Sequence, residues 1–338
     1  MKFHNLLRNI KSWSAAFIIA VVICNGVVYF YDRPAGWINR TEAFSTAIWN
    51  PGSKIVMGTE GHGVHKVDSR GYINSHELEN GEKGYVLTVG SSFTQGKEVE
   101  AGKRFSDLLG MWMKEDGISV YNVSQDAYFF PQLIKGFQAL VEEFPDASTI
   151  ILEISSTDFS KKDMEDALNQ RRYDSRQSGR QIKKGLSIKE KLKIKLKESL
   201  PIYNLAKKQV NAIKSKDAQP GIGDGKLANQ ELVDKALKKI RSQFSGNILV
   251  FYHPSVEIQQ DGSLKILKGE FKETFKQLCI KNNILFLDVS DAFLEKYESD
   301  FIVPYGFNNT IMGTGHFNEA GHLIVAEEIY GVLKGLNQ

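Results

Sequence analysis

The stretch 148-STIILEIS-155 constrains this chain more than any other. A near-continuous apolar run of strand length is what a parallel strand buried on both faces requires, and such strands occur where helices cover both sides of a sheet. Runs of β-formers recur at 86-VLTV-89, 118-ISVYNVS-124, 247-NILVFYHP-254 and 284-ILFLDVS-290. Between them lie stretches with helical character. In 101-AGKRFSDLLGMWMKEDG-117 the residues Phe105, Leu108, Leu109 and Trp112 share a face and Gly117 supplies a C-cap. Further helices are expected over 130–145, 227–243, 268–283, 291–297 and 316–336. Strands alternating with helices predict an α/β domain with a five-stranded parallel sheet and right-handed crossovers. The expected strands are 86–89, 118–122, 149–155, 247–252 and 284–288.

The N-terminus has a different character. Residues 13-WSAAFIIAVVICNGVVYFY-31 carry no formal charge and approach the roughly 20 residues that a helix needs to cross a bilayer. Lys2, Arg8 and Lys11 precede the run with no acidic residue among them. The positive-inside rule then puts residues 1–12 in the cytoplasm and the rest of the chain outside. A cleaved signal peptide is the rival reading. Its apolar region typically spans about 7–15 residues and ends in a small-residue site, and no such site follows here. An uncleaved transmembrane anchor at 13–31 is therefore expected, followed by an approach segment over 32–84 and the α/β domain over 85–338.

The net charge of +3 excludes a strongly polyanionic partner for the chain as a whole, and nucleic acid with it. Cys24 and Cys279 are the only cysteines, too few for a disulfide framework or a cysteine-based metal site. Residues 161–216 hold seventeen Lys and Arg against six Asp and Glu. This locally basic segment reads as a helical insertion at about 160–226, with a linker at 217–225. Its lysines suit either a solvated helix surface or a face near anionic headgroups or an acidic glycan. His62, His65 and His76 lack partners at ligand spacing and read as exposed loop histidines.

The chemistry concentrates at 86-VLTVGSSFTQG-96. A strand that ends in a Gly turn lifts the next side chains to the carboxyl edge of the sheet, where α/β proteins bind ligands. Ser92 is the nucleophile candidate. No G-K-[ST] follows and no G-x-G-x-x-G is present, so the turn is neither of the nucleotide-binding fingerprints. A serine hydroxyl needs a base within reach, and His316, in the loop-to-helix junction 313-GTGHFNEAGH-322, is the candidate. His322 falls inside the following helix. His253, in 251-FYHP-254, ends a strand at the same edge and reads equally well as a substrate contact or as a packed strand-end residue. No cofactor or metal is expected.

These blocks resemble the SGNH (GDSL-type) hydrolase superfamily over residues 85–160 and 245–336. The resemblance implies a flavodoxin-like three-layer α/β/α sandwich and an esterase or carbohydrate O-acyltransferase activity. Gly90-Ser91-Ser92 stands for the G-D-S block and maps the nucleophile to Ser92. The N-x-x-x-x-G block appears as 122-NVSQDA-127, with Ala127 in the place of the Gly that donates a backbone N–H to the oxyanion. The G-x-N-D block appears as 155-SSTD-158, where Thr157 replaces the oxyanion-hole Asn and Asp158 keeps the acid. The D-x-x-H block appears as 313-GTGH-316, with Gly313 in place of the Asp that orients the His. Asp288, Asp291 or Asp158 could orient the ring instead. With the anchor, the resemblance implies an extracytoplasmic enzyme acting on acetyl or other acyl esters of a surface polysaccharide. The altered blocks keep open a non-catalytic glycan-binding protein, or a partner of polysaccharide-assembly proteins.

Overall fold

The computed structural model describes residues 2–33, 35–39, 47–169, 187–203, 206, 230–267 and 269–336. The expected linker at 217–225 and most of the basic insertion lie outside these residues. Helix α1 (Lys2–Tyr31) is followed by β1 (Trp37–Asn39), β2 (Ala47–Trp49), β3 (Lys54–Met57) and β4 (Gly63–Lys66). The chain continues through β5 (Val86–Val89), α2 (Ser92–Gln95), α3 (Phe105–Met113), β6 (Val120–Asn122), α4 (Phe130–Glu143) and β7 (Thr149–Ile154). Then come α5 (Lys161–Asn169), α6 (Ile188–Ser199), α7 (Gln230–Gln243), β8 (Asn247–Tyr252), β9 (Ser255–Ile258) and β10 (Leu264–Leu267). The last elements are α8 (Lys272–Lys281), β11 (Leu285–Asp288), α9 (Ser290–Asp300) and α10 (Glu319–Leu336).

The five expected strands form one sheet in the order β11-β8-β7-β5-β6, and every neighbouring pair is parallel. Counted along the sheet strands alone this is the 2-1-3-4-5 order of flavodoxin-like folds, whose ligand site lies at the carboxyl edge where the strand order reverses. That switch point falls between β5 and β7. All six residues of β7 are buried, because alternate side chains enter two different cores. Ile150, Leu152 and Ile154 pack with α4, α5, α7 and α8 on one face. Ile151 packs on the other with α3, α9 and α10. The result is a three-layer α/β/α sandwich.

Residues 32–84 are more than an approach. Strands β3 and β4 pair as an antiparallel hairpin, and Ala35, Trp49, Ile55, Val67 and Ile73 make a small core of their own. Val67 and Ile73 form an antiparallel bridge. His62 and His76 are exposed as expected, but His65 is not. It sits in β4 at 2% exposure, with Nε2 against the Lys97 carbonyl at 3.1 Å. Burial pushes its pKa down to about 4.

Helix α1 is continuous from the basic N-terminus. Its Lys11–Tyr31 portion is long and apolar enough to cross a membrane, and none of that portion is buried against the rest of the chain. Helix α6 ends before Pro201, whose ring cannot continue the hydrogen-bond ladder.

The shared central strand makes one substitution diagnostic. Ile151→Ala removes a fully buried side chain and should lower stability by about 2–5 kcal/mol. Chemical denaturation of the detergent-solubilised protein reads this directly, and an unaltered midpoint would contradict the packing described.

Candidate active site

Strand β5 delivers Gly90 to the switch point, and the chain turns at once into α2. Ser91 caps that helix, its hydroxyl accepting from the Phe93 N–H. Gly96 closes it in the left-handed conformation at φ 61°. A side chain at Gly90 is excluded, since a Cβ there would lie 2.5 Å from both Glu153 Oε2 and Thr94 Oγ1. That close approach lets the Glu153 carboxylate accept from the Ser91 N–H at 2.6 Å and from the Ser91 hydroxyl at 2.7 Å. Ser92 is thereby held at the first position of α2.

The Ser92 hydroxyl lies 2.7 Å from His316 Nε2. The two residues are 224 positions apart in the chain, and the fold brings them into contact. The orienting carboxylate is another matter. None of Asp158, Asp288 or Asp291 takes that place. Asp288 is held by Lys272 and Ser290. Burial would raise its carboxyl, but these partners outweigh burial and hold it low. The group that faces the imidazole is Glu60, from the turn between β3 and β4. Its Oε2 lies 2.9 Å from His316 Nδ1, and its Oε1 accepts the His316 backbone N–H at 2.7 Å. The Nδ1–H is not fully aligned on the oxygen. Such contacts often tighten only when substrate is bound.

Three segments close around this pair. Asn309 donates to the Gly58 carbonyl at 2.9 Å and accepts the Gly61 N–H at 2.9 Å, which clips the β3–β4 turn to the loop before His316. Gly315 must lack a side chain, because a Cβ there would run into Glu60 Oε1. From the third segment, Glu98 Oε1 stands 3.8 Å from Nδ1 and Glu98 Oε2 has no hydrogen-bond partner. Burial raises the Glu98 carboxyl despite the neighbouring His316 and Lys97. Burial would raise Glu60 too, but contact with His316 outweighs it and the net direction is down. The two carboxyls beside one imidazole are therefore shifted in opposite directions, Glu98 up by burial and Glu60 down by its contact with His316. For His316 burial disfavours the cation, but Glu60 and Glu98 outweigh burial and raise its pKa above 6.5. Glu60, Glu98 and His316 also present ligand atoms within 4.8 Å of one another, close enough to hold a metal ion.

The other expected site residues divide. Ala127 has φ 59°, a conformation that usually requires Gly, at the position where the family block has Gly. Its neighbour Asp126 is pinned by Lys97 Nζ at 2.6 Å. Asp158 lines a cleft at the end of β7. Thr157 does not do what the family Asn would. Its hydroxyl is buried against Gly269 near Tyr252, on the β8 side of the sheet edge, and has no hydrogen-bond partner. His253 is 1% exposed, which removes it as a substrate contact. Its Nε2 meets Glu153 Oε1 at 3.1 Å and its Nδ1 meets the Tyr305 hydroxyl at 2.9 Å. His322 is buried within α10, its Nδ1 accepting the Phe105 N–H at 3.3 Å, and burial pushes its pKa down to about 3.

Sequence reasoning missed Glu60, Glu98 and Glu153. Glu153 had a signal, as the single charge inside 149-TIILEI-154. Glu60 had none, since it lies in a Gly-rich turn far from every block of the family.

No family model matches the sequence, and no curated protein matches it. Among solved structures the chain is similar to an acetyl xylan esterase, AlAXEase, at 13% identity, with 73% of this chain and 98% of that one covered and a TM-score of 0.42. It is similar to a lipolytic protein of the G-D-S-L family from Veillonella parvula at 13% identity, 74% and 98% coverage and a TM-score of 0.37. It is also similar to a psychrotrophic esterase from Pseudoalteromonas sp. at 12% identity, 76% and 100% coverage and a TM-score of 0.40. Likeness at this level does not say what this chain acts on.

The buried Glu153 gives a pH prediction. Burial would raise its carboxyl, but His253 and Ser91 outweigh burial and hold it below the ordinary 4.5. A carboxyl depressed on folding stabilises the fold above its unfolded pKa, and this is lost as pH falls through the folded value. Glu153→Gln should therefore flatten the fall in melting temperature below about pH 4.5. An acid limb identical to that of the parent protein would contradict the pairing.

Proposed function

We propose that this protein is a serine-dependent acyl-ester enzyme of SGNH type, in which Ser92, His316 and Glu60 form the reacting triad. The observation that carries the reading is the Ser92 Oγ–His316 Nε2 distance of 2.7 Å with a carboxylate on the opposite ring nitrogen. In that arrangement His316 takes the Ser92 proton as the hydroxyl attacks an acyl carbonyl, and Glu60 stabilises the imidazolium that forms. The tetrahedral intermediate collapses with His316 returning the proton to the leaving alcohol. Water then releases the acyl group in an esterase, and a sugar hydroxyl accepts it in a transferase.

The oxyanion is left to backbone donors, the N–H groups of Ser92 and Ala127. Thr157 does not replace the family Asn, and one missing oxyanion donor typically costs about 100–1000-fold in rate. The enzyme is therefore slow beside a member with a full set. The apolar helix at Lys11–Tyr31 supports a membrane anchor with the α/β domain outside, where acyl esters of a surface polysaccharide lie within reach. The turned-away Thr157 favours one alternative, a glycan-binding protein that retains the fold without turnover.

A fluorophosphonate probe and an acetyl-ester assay separate the two. Wild-type protein should label and hydrolyse, and Ser92→Ala should do neither. His316→Ala should lose about 100–10,000-fold in kcat. Absence of labelling and of acetyl release in the wild type would leave the binding reading standing. The pH profile tests Glu60 separately. A general base works only when neutral, so the raised His316 pKa puts the acid limb of kcat/KM above pH 6.5. Glu60→Gln should lower kcat and move that limb to lower pH, and a limb that stays in place would remove Glu60 from the triad.

A further inference from the structure

Beside the Ser92 turn the sheet edge opens into a cleft of about 270 Å³. Strand β5 lies between β6 and β7 in the sheet, and the loops after those two neighbours form the cleft walls. Phe129 and Phe130 come from the β6 side, and Ser155 and Asp158 from the β7 side, with Asp163 beyond them at the start of α5. The β7 end of the cleft is Glu153, whose carboxylate holds the Ser91 N–H. Glu153 thus links the β7 end of the cleft to the turn that carries Ser92.

Its chemistry is specific. The Phe129 ring is 49% exposed, while Phe130 behind it is buried and packs on Phe159 at 5.0 Å. An exposed aromatic face backed by a fixed ring suits the C–H face of a sugar, as aromatic side chains combine apolar area with fixed geometry. Asp158 and Asp163 accept hydrogen bonds but donate none when ionised. Among the described residues, no lysine or arginine lines the cleft. Against those residues a carboxylate or phosphate on the ligand would meet two acidic side chains, whereas sugar hydroxyls or an ammonium would meet acceptors.

We propose that this cleft binds the sugar unit bearing the ester and selects a saccharide without negative charge, neutral or amino-substituted. The inference rests on the acyl-ester reading, and it narrows the substrate class of that site. It also runs against the local basicity of residues 161–216, which by itself would suggest an acidic glycan.

The test uses full-length Ser92→Ala protein in detergent at physiological salt, so that binding is read without turnover. Calorimetric titration with acetylated xylotetraose, a chitosan tetramer and tetragalacturonate supplies neutral, cationic and anionic probes. The neutral or cationic probe should bind at least about tenfold tighter than the galacturonate, a difference set by the charges alone. Adding Phe129→Ala should weaken that binding about threefold to tenfold. Adding Asp158→Lys should shift the preference toward the galacturonate. Tighter binding of the galacturonate, binding of none of the three, or binding indifferent to both substitutions overturns the proposal. Hydrolysis of p-nitrophenyl acetate by the wild type is scored separately, since this small ester needs no sugar subsite. Its absence counts against the acyl-ester reading, and the titrations still decide the charge preference of the cleft.

Discussion

One buried carboxylate holds the serine-bearing edge of the sheet in shape. Glu153 lies next to last in the central strand at 2% exposure, where an isolated charge would cost several kcal/mol. The cost is offset because its oxygens are shared among the Ser91 N–H, the Ser91 and Thr94 hydroxyls and His253. Gly90 makes this possible by leaving room for the carboxylate beside the backbone. The network then continues outward. His253 meets Tyr305, Tyr305 donates to the Pro254 carbonyl, and Tyr305 bridges to Phe317 across from it. The Gly306 N–H in turn donates to the His316 carbonyl at 3.0 Å. A continuous chain of polar contacts and paired backbone thus joins the turn that carries Ser92 to the loop that carries His316.

The support for His316 is built differently from the family block that the sequence resembles. There the acid sits three residues before the His, on the same loop. Here that position is Gly313, and the acid arrives from a separate hairpin. The substitution is coherent, because Glu60 takes hold of both the backbone and the ring of His316. Gly315 keeps the approach open, and Asn309 clips the hairpin in place. Glu98 adds to this support from farther off, 3.8 Å from Nδ1 against 2.9 Å for Glu60, and both carboxyls favour the imidazolium.

Much of the architecture was legible because its causes are local. The double-sided burial of 149–154 is written in consecutive apolar residues, and the five strands and their helices follow from periods of 2 and 3.6. The pairing of Ser92 with His316 was suggested by the strand–Gly turn and the Gly-rich loop-to-helix junction as well as by the family blocks, and the two side chains meet at 2.7 Å. Thr157 and His65 were misjudged, and His253 was left open between two readings, for one shared reason. A residue at a strand end or in a hairpin can face solvent, the site or a neighbouring layer, and the local sequence does not say which.

The sequence by itself determined the sheet, its layers, the apolar N-terminal helix and the serine turn at the switch point, since each depends on side chains adjacent in the chain. Only the tertiary structure decided which acid serves His316 and which charges line the cleft beside Ser92. Glu60 and His316 are 256 positions apart. Their contact exists because the 58–63, 97–99 and 305–316 segments pack together, and that packing depends on distances through space that no spacing along the chain encodes.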